Sequence, residues 1–173
     1  MIEDSSFITD DRVRGDVYAN NGKPWRAVTD TVMGGISKAD LRATMVSGKP
    51  CLRLIGEVCL ENNGGFIQAS LDLGEERLLD ASGFEGIEIE VCGNNESYNV
   101  HLRTGDTQMV WQSYRHSFTT DANWKTQRIP FADFMPHRIL LGLNTKQLRR
   151  IGNVAIGRKM DADVCFSRIA LYR

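Results

Sequence analysis

Along most of this chain apolar and polar residues alternate at a spacing of two. Leu41, Ala43 and Met45 alternate with Arg42 and Thr44, and Leu52 and Leu54 flank Arg53. Ile67, Ala69, Leu71 and Leu73 alternate with Gln68, Ser70 and Asp72. Ile87, Ile89 and Val91 alternate with Glu88, Glu90 and Cys92, and Tyr98, Val100 and Leu102 with Asn99, His101 and Arg103. A period of two sends successive side chains to opposite faces of a pleated strand, so each run predicts a strand with one buried and one wet face. Turn formers separate the runs at Ser47-Gly48-Lys49-Pro50, Asn94-Asn95 and Gly105-Asp106. Trp124–Ile129, Ile151–Ile156 and Val164–Leu171 read as further strands, and Phe131-Ala132-Asp133-Phe134 between two prolines as an apolar staple. Met109–Phe118 is also strand-like, with Val110 and Phe118 favoured inward. Thr145–Arg150 reads as a helical turn with Thr145 as its cap. Short strands at roughly ten-residue spacing, with at most one short helix, predict an all-β sandwich or jelly roll.

Residues 1–24 are polar and turn-rich and read as an N-terminal arm with one short strand near Phe7-Ile8; residues 25–173 read as a single domain. The domain is organised around two loops that each hold a glycine pair. Thr29-Asp30-Thr31-Val32-Met33-Gly34-Gly35-Ile36-Ser37 is one, and Leu60-Glu61-Asn62-Asn63-Gly64-Gly65-Phe66 is the other. Glycine reaches positive φ and tolerates close approach of another chain segment, and at least one of Gly34 and Gly35 is expected there. Asp30, Ser37, Asn62 and Asn63 are suited to fixing such turns through backbone bonds. The loops read either as an architectural clasp or as part of a binding rim. Trp25 reads as core, its indole N–H aimed at an acceptor, with Asp30 the candidate.

Trp25, the run Val28-Thr29-Asp30-Thr31-Val32-Met33-Gly34-Gly35-Ile36-Ser37 and the run Asn63-Gly64-Gly65-Phe66 together resemble the complex I intermediate-associated protein 30 family. Tyr98, Leu102-Arg103, Trp124, Ile129-Pro130-Phe131, Phe134 and Ile151-Gly152 fit the same pattern. The resemblance implies a galactose-binding-like jelly roll. It also implies a non-catalytic role, which in mitochondria is the building of respiratory complex I. Asn62-Asn63 and Tyr98-Asn99-Val100-His101 vary within the pattern.

Lysine and arginine number 21 against 22 for aspartate and glutamate, a net charge of −1. That balance carries no footprint of nucleic-acid binding and no polybasic membrane signal. The acidic opening Met1-Ile2-Glu3-Asp4-Ser5-Ser6 has no apolar stretch of a signal peptide, so the chain reads as cytoplasmic, peripheral to membrane complexes at most. Cys51, Cys59, Cys92 and Cys165 are scattered, without C-x-x-C or histidine neighbours, and read as buried free thiols. His101, His116 and His137 show no metal-ligand spacing, and no nucleophile elbow or phosphate loop is present, so no metal, cofactor or catalytic residue is expected.

The polar strand faces are the remaining candidate surface. If their strands are neighbours, Glu88, Glu90, Asn99, His101 and Arg103 line one face, joined by Trp111 and Arg115. Carboxylates, amides, guanidinium and indole on a concave sheet suit a protein partner, where arginine and tryptophan are favoured anchors. They equally suit a sugar ligand, and a carbohydrate-binding module is the alternative reading. The plain reading of the same residues is a solvated sheet face, with Arg103 paired to Glu88 or Glu90.

Overall fold

A computed structural model describes residues 7–74 and 77–173. Among the described residues, twelve strands form two antiparallel sheets. They are β1 (Phe7–Asp10), β2 (Arg26–Thr29), β3 (Lys38–Val46), β4 (Lys49–Val58), β5 (Phe66–Asp72) and β6 (Gly86–Gly93). They continue as β7 (Ser97–Thr104), β8 (Ser113–Thr119), β9 (Lys125–Pro130), β10 (Met135–His137), β11 (Leu148–Ile156) and β12 (Met160–Tyr172). The first sheet runs β3-β4-β12-β6-β9, with β1 pairing β12 beyond the end of β4. The second runs β10-β8-β7-β11-β5-β2. No α-helix occurs among the described residues. This is the jelly-roll sandwich that the alternation and the resemblance predict.

The inward faces are those the alternation marks. Leu52, Leu54, Ile87, Ile89 and Val91 of the first sheet meet Ile67, Ala69, Leu71, Tyr98, Val100 and Leu102 of the second in one buried core. Removing this apolar surface from water is the main drive for the two sheets to close on each other. The β3–β4 hairpin turns on Ser47 and Gly48, at φ 48° and 76°. Two positive φ values give the turn a twist that matches the flanking strands.

The segment read as an arm contributes β1, and Ala19 within it is fully buried in the core. Its Asp10 and Arg12 form a buried ion pair. The Trp25 indole Nε1 donates to Asp10 Oδ2 at 2.7 Å, so Asp10 and not Asp30 is its acceptor. The Trp25 ring packs 4.9 Å from that of Phe166.

Two local expectations are corrected. Residues 109–112 form a turn and β8 begins only at Ser113, which leaves Val110 71% exposed while Phe118 does point inward. The turn closes on itself: Gln112 N donates to Met109 O at 3.0 Å, and Met109 N to Gln112 Oε1 at 3.1 Å. The predicted helix at 145–150 is a single 3-10 turn, Thr145–Gln147, capped by the Asn144 side chain rather than by Thr145. From Leu148 the chain is claimed by sheet pairing with β7 and β5, which overrides its weak helical preference.

Candidate functional site

Asp30 joins the two glycine loops. Its carboxylate is fully buried and accepts from Ser37 N at 3.0 Å, Ser37 Oγ, Gly65 N and Phe66 N. Gly35 N donates to its backbone carbonyl at 2.9 Å. Ser37 Oγ in turn accepts from Cys59 N at 2.9 Å. Burial by itself would push the Asp30 pKa up; the hydrogen bonds from Ser37, Gly65 and Phe66 outweigh it and hold the carboxyl below its usual range. The glycines follow from this packing. A Cβ on Gly35 would lie 2.4 Å from Asp30 Cγ, and one on Gly64 2.6 Å from Asp30 Oδ2. Gly34 sits at φ 89° and Gly65 at φ 134°, conformations that side chains strain to reach. The side chains of Met33 and Asn63 lie outside the described residues.

On the outer face of the second sheet lies a groove of about 480 Å³ that crosses its strands. Val28 of β2, Phe66 and Gln68 of β5, and Gly152 and Val154 of β11 form one side of its floor. His101 and Arg103 of β7 and Arg115 of β8 form the other, with Trp111, Val110 and Arg138 as wall. Gly152 keeps the floor low, since a Cβ there would meet Gln68 Oε1 at 2.5 Å. The clasp reaches the groove too, because Val32, Gly64 and Gly65 close one end. The clasp and rim readings of the loops therefore coincide in space: the carboxylate bonds that fix the turns also shape the groove's end.

Charge in the groove is one-sided. Burial, then Arg115 and His137, push the His101 pKa down to about 3, so its imidazole is neutral at neutral pH. Burial, then Arg150 and Arg149, lower the pKa of Arg103; burial, then Arg138, lower that of Arg115. Arg103 Nη2 donates to the carbonyls of Thr107 at 2.8 Å and Met109 at 3.1 Å, and so ties down the loop that carries Trp111. His101 Nε2 and Arg103 Nε are buried without a hydrogen-bond partner among the described residues.

The sequence placed seven residues on one face, and the structure divides them. His101, Arg103, Trp111 and Arg115 line the groove, and Asn99 lies on the same face of β7 beyond it. Glu88 and Glu90 lie on β6, in the opposite sheet, because the turn at Asn94-Asn95 carries the chain from one sheet to the other. There Glu88 pairs with Arg128 at 2.8 Å and with Arg168 at 2.5 Å, and Glu90 with Lys49 at 2.7 Å. The expected pairing of Arg103 with either glutamate is replaced by its bonds to the loop carbonyls.

Gln68, Arg138, Arg150 and Val154 also line the groove, outside the set of residues that the sequence marks. Gln68 was visible as an outward residue of an alternating strand. Val154 was hidden, because β11 inverts the usual pattern: Asn153 lies buried inside while Val154 and Ile156 line the groove.

Away from the groove, Cys51, Cys92 and Cys165 pack with Val46 and Trp124 on the first sheet. All four cysteines are free, but Cys59 is half-exposed, a correction to the expectation that all are buried. Burial pushes the Cys92 thiol up to about 12. Burial, then the charges of Glu57 and Glu61, also raise that of Cys59. A thiol reagent should therefore label Cys59 alone in the native protein, slowly, and all four after denaturation. Mass spectrometry after timed alkylation checks this, and fast native labelling of Cys51, Cys92 or Cys165 would contradict the packing. Among the described residues no group of three potential metal ligands occurs, and no helix is long and apolar enough to cross a membrane.

The model of the complex I intermediate-associated protein 30 family matches residues 17–162. No curated protein matches the sequence. Among solved structures, the chain is similar to the family 11 carbohydrate-binding module of the cellulosomal cellulase Lic26A-Cel5E of Clostridium thermocellum. The TM-score is 0.77 at 15% identity, covering 99% of this chain and 96% of that one. A family 11 module of the same organism, solved with a β-1,3-1,4-mixed-linked tetrasaccharide, gives TM-score 0.76 at 14% identity over 99% and 97%. The family 30 module of its cellulase Cel9D-Cel44B gives 0.63 at 17% identity over 85% and 90%. At these identities the likeness is one of fold.

Proposed function

The chain belongs to the complex I intermediate-associated protein 30 family, and from that premise we propose that it is a non-catalytic binding module. Its groove holds a segment of a partner protein while a larger complex is assembled. The groove itself carries the proposal. It offers the Trp111 indole, 46% exposed, and Val110, 71% exposed, on the loop that Arg103 ties down, with Val32, 71% exposed, on the clasp loop at the other end. Exposed apolar groups ringed by guanidinium are the kind of surface that anchors a protein partner. Hydrogen bonds of Arg103 and Gln112 with the first loop and of the Asp30 carboxylate with the second hold these groups in place, which lowers the ordering cost on binding.

A photo-crosslinking residue placed at Val110, on the groove wall, should capture a protein partner from native lysate. The same residue at Arg42, on the outer face of the first sheet, should not. Equal capture from both positions, or none from Val110, would overturn the proposal.

A second reading is an oligosaccharide in the same groove. Trp111 supplies an aromatic face of the kind that stacks on sugar rings, and a module of this fold was solved holding a tetrasaccharide. A glycan array run beside the crosslinking decides it: specific glycan binding lost in Trp111→Ala would favour the sugar.

A further inference from the structure

The two outer faces of the sandwich treat charge differently. On the first sheet, cations and anions are matched: Arg53 with Asp163 at 2.7 Å, Lys49 with Glu90 at 2.7 Å, Arg128 with Glu88 at 2.8 Å. The groove on the second sheet gathers Arg103, Arg115, Arg138 and Arg150, and no aspartate or glutamate is among the described residues that line it. Asp72 reaches Arg150 from the side, at 2.7 Å. Arg103 and Arg115 bond instead to neutral groups, the loop carbonyls and the Ser113 hydroxyl. A protein of net charge −1 thus concentrates uncompensated positive charge in one cleft. Like charges in a partly desolvated cleft repel one another, and an anion that enters relieves that repulsion.

Strand register gives the cleft a direction. Arg150 of β11 lies opposite Arg103 of β7 and Asp72 of β5. Gly152 lies opposite His101, which lies opposite Arg115 of β8. Farther along β11, Val154 lies opposite Gln68 and Ile156 opposite Phe66. One end is therefore cationic, with Arg138 following β10 on the same side, and the other is aliphatic and aromatic.

Resting on the binding-module reading, we propose that the groove takes an extended peptide segment with carboxylates at one end and aliphatic side chains at the other. The carboxylates lie against Arg103, Arg115 and Arg138, and the aliphatic side chains against the partly exposed Phe66 and Ile156, above the buried Val154. A guanidinium matches a carboxylate as a two-pronged donor. A sugar polymer has no side chains to bury against valine and isoleucine. A nucleic-acid strand calls for a row of aromatic platforms, where this groove has Phe66 and Trp111 at separate places rather than in a row.

Fluorescence anisotropy tests it on the full chain with four probes. These are a labelled peptide of glutamates and aspartates followed by valines and leucines, the same peptide with lysine at every acidic position, polygalacturonate, and a mixed-linked glucan oligosaccharide. The acidic–aliphatic peptide should bind, weaken with added salt, and beat its lysine counterpart. Arg138→Glu, on an exposed side chain, and Arg115→Gln should each weaken it at least about tenfold with melting unchanged. Equal binding of the lysine peptide, binding of polygalacturonate or the glucan in place of the peptide, or no binding by either peptide would overturn the proposal. Capture of a partner at Val110 together with no acidic-peptide binding would reject the acidic segment and leave the parent reading standing. Acidic-peptide binding without such capture would remove the assembly reading and keep the ligand chemistry.

Discussion

Replacing Asp30 with alanine should cost roughly 3–5 kcal/mol of folding stability. One carboxylate accepts from Ser37 N, Ser37 Oγ, Gly65 N and Phe66 N in a site closed to water. A methyl group there leaves those donors facing each other without an acceptor, and each buried unsatisfied donor costs about 1–3 kcal/mol. The costs do not add in full, because the loops relax and admit water, so the total falls below their sum. Asp30→Asn keeps the shape but turns an NH2 toward backbone donors, and should cost less than alanine but more than about 1 kcal/mol. Denaturant unfolding of the two variants beside the wild type measures both, and losses below about 1 kcal/mol would show that the glycine loops hold without the carboxylate. The pH dependence has a definite sign. The folded-state pKa of Asp30 is depressed, so its contribution is full above the ordinary carboxylate range, near about 4. It is lost as pH falls through the folded value, and Asp30→Asn should flatten that acid limb of the stability curve.

What the sequence made legible, and what it did not, separates along a physical line. Alternation fixes which side chains of one strand share a face, and Leu52, Ile87, Ile89, Tyr98 and Val100 all point inward as read. It does not say in which sheet a strand lies. Glu90 and Asn99 stand nine positions apart, yet a turn between sheets puts them on opposite outer faces of the sandwich. The glycine pairs were legible as specified turns because glycine carries backbone information directly, as Gly34 at φ 89° illustrates. Their common acceptor was not, since nothing local to Gly64-Gly65 points 35 residues back to Asp30. The groove was half legible. Outward polarity and residue type place His101, Arg103, Trp111 and Arg115 on one face, and all four line the groove. Val154 and Ile156 were hidden in the apolar run of β11, where outward aliphatic residues look like core. Val110 was assigned inward because the run Met109–Phe118 resembles a strand; a turn closed by Gln112 and held by Arg103 ends that pattern.

Arg103→Ala and Trp111→Ala should each weaken capture of the partner crosslinked at Val110 by about 2 kcal/mol or more, with melting lowered only slightly. The two side chains act through one loop. The base of that loop is held by the buried pair Thr104 and Thr107, whose side chain and backbone bond at 3.0 and 2.9 Å. Farther along, Arg103 fixes the carbonyls of Thr107 and Met109, and Val110 and Trp111 follow directly. Losing the guanidinium therefore removes a donor from the groove and also frees the wall on which the indole stands. If Arg103 works largely by holding Trp111, its removal should matter less where Trp111 is already alanine. The double variant should then bind better than the sum of the single losses predicts, by about 1 kcal/mol. A binding titration of the four proteins gives this coupling directly. Additivity within about 0.5 kcal/mol would assign Arg103 its own contact with the partner, independent of the loop. Full capture by both single variants would remove this wall from the binding surface and leave the clasp end of the groove, at Val32 and Phe66, as the place where the partner is held.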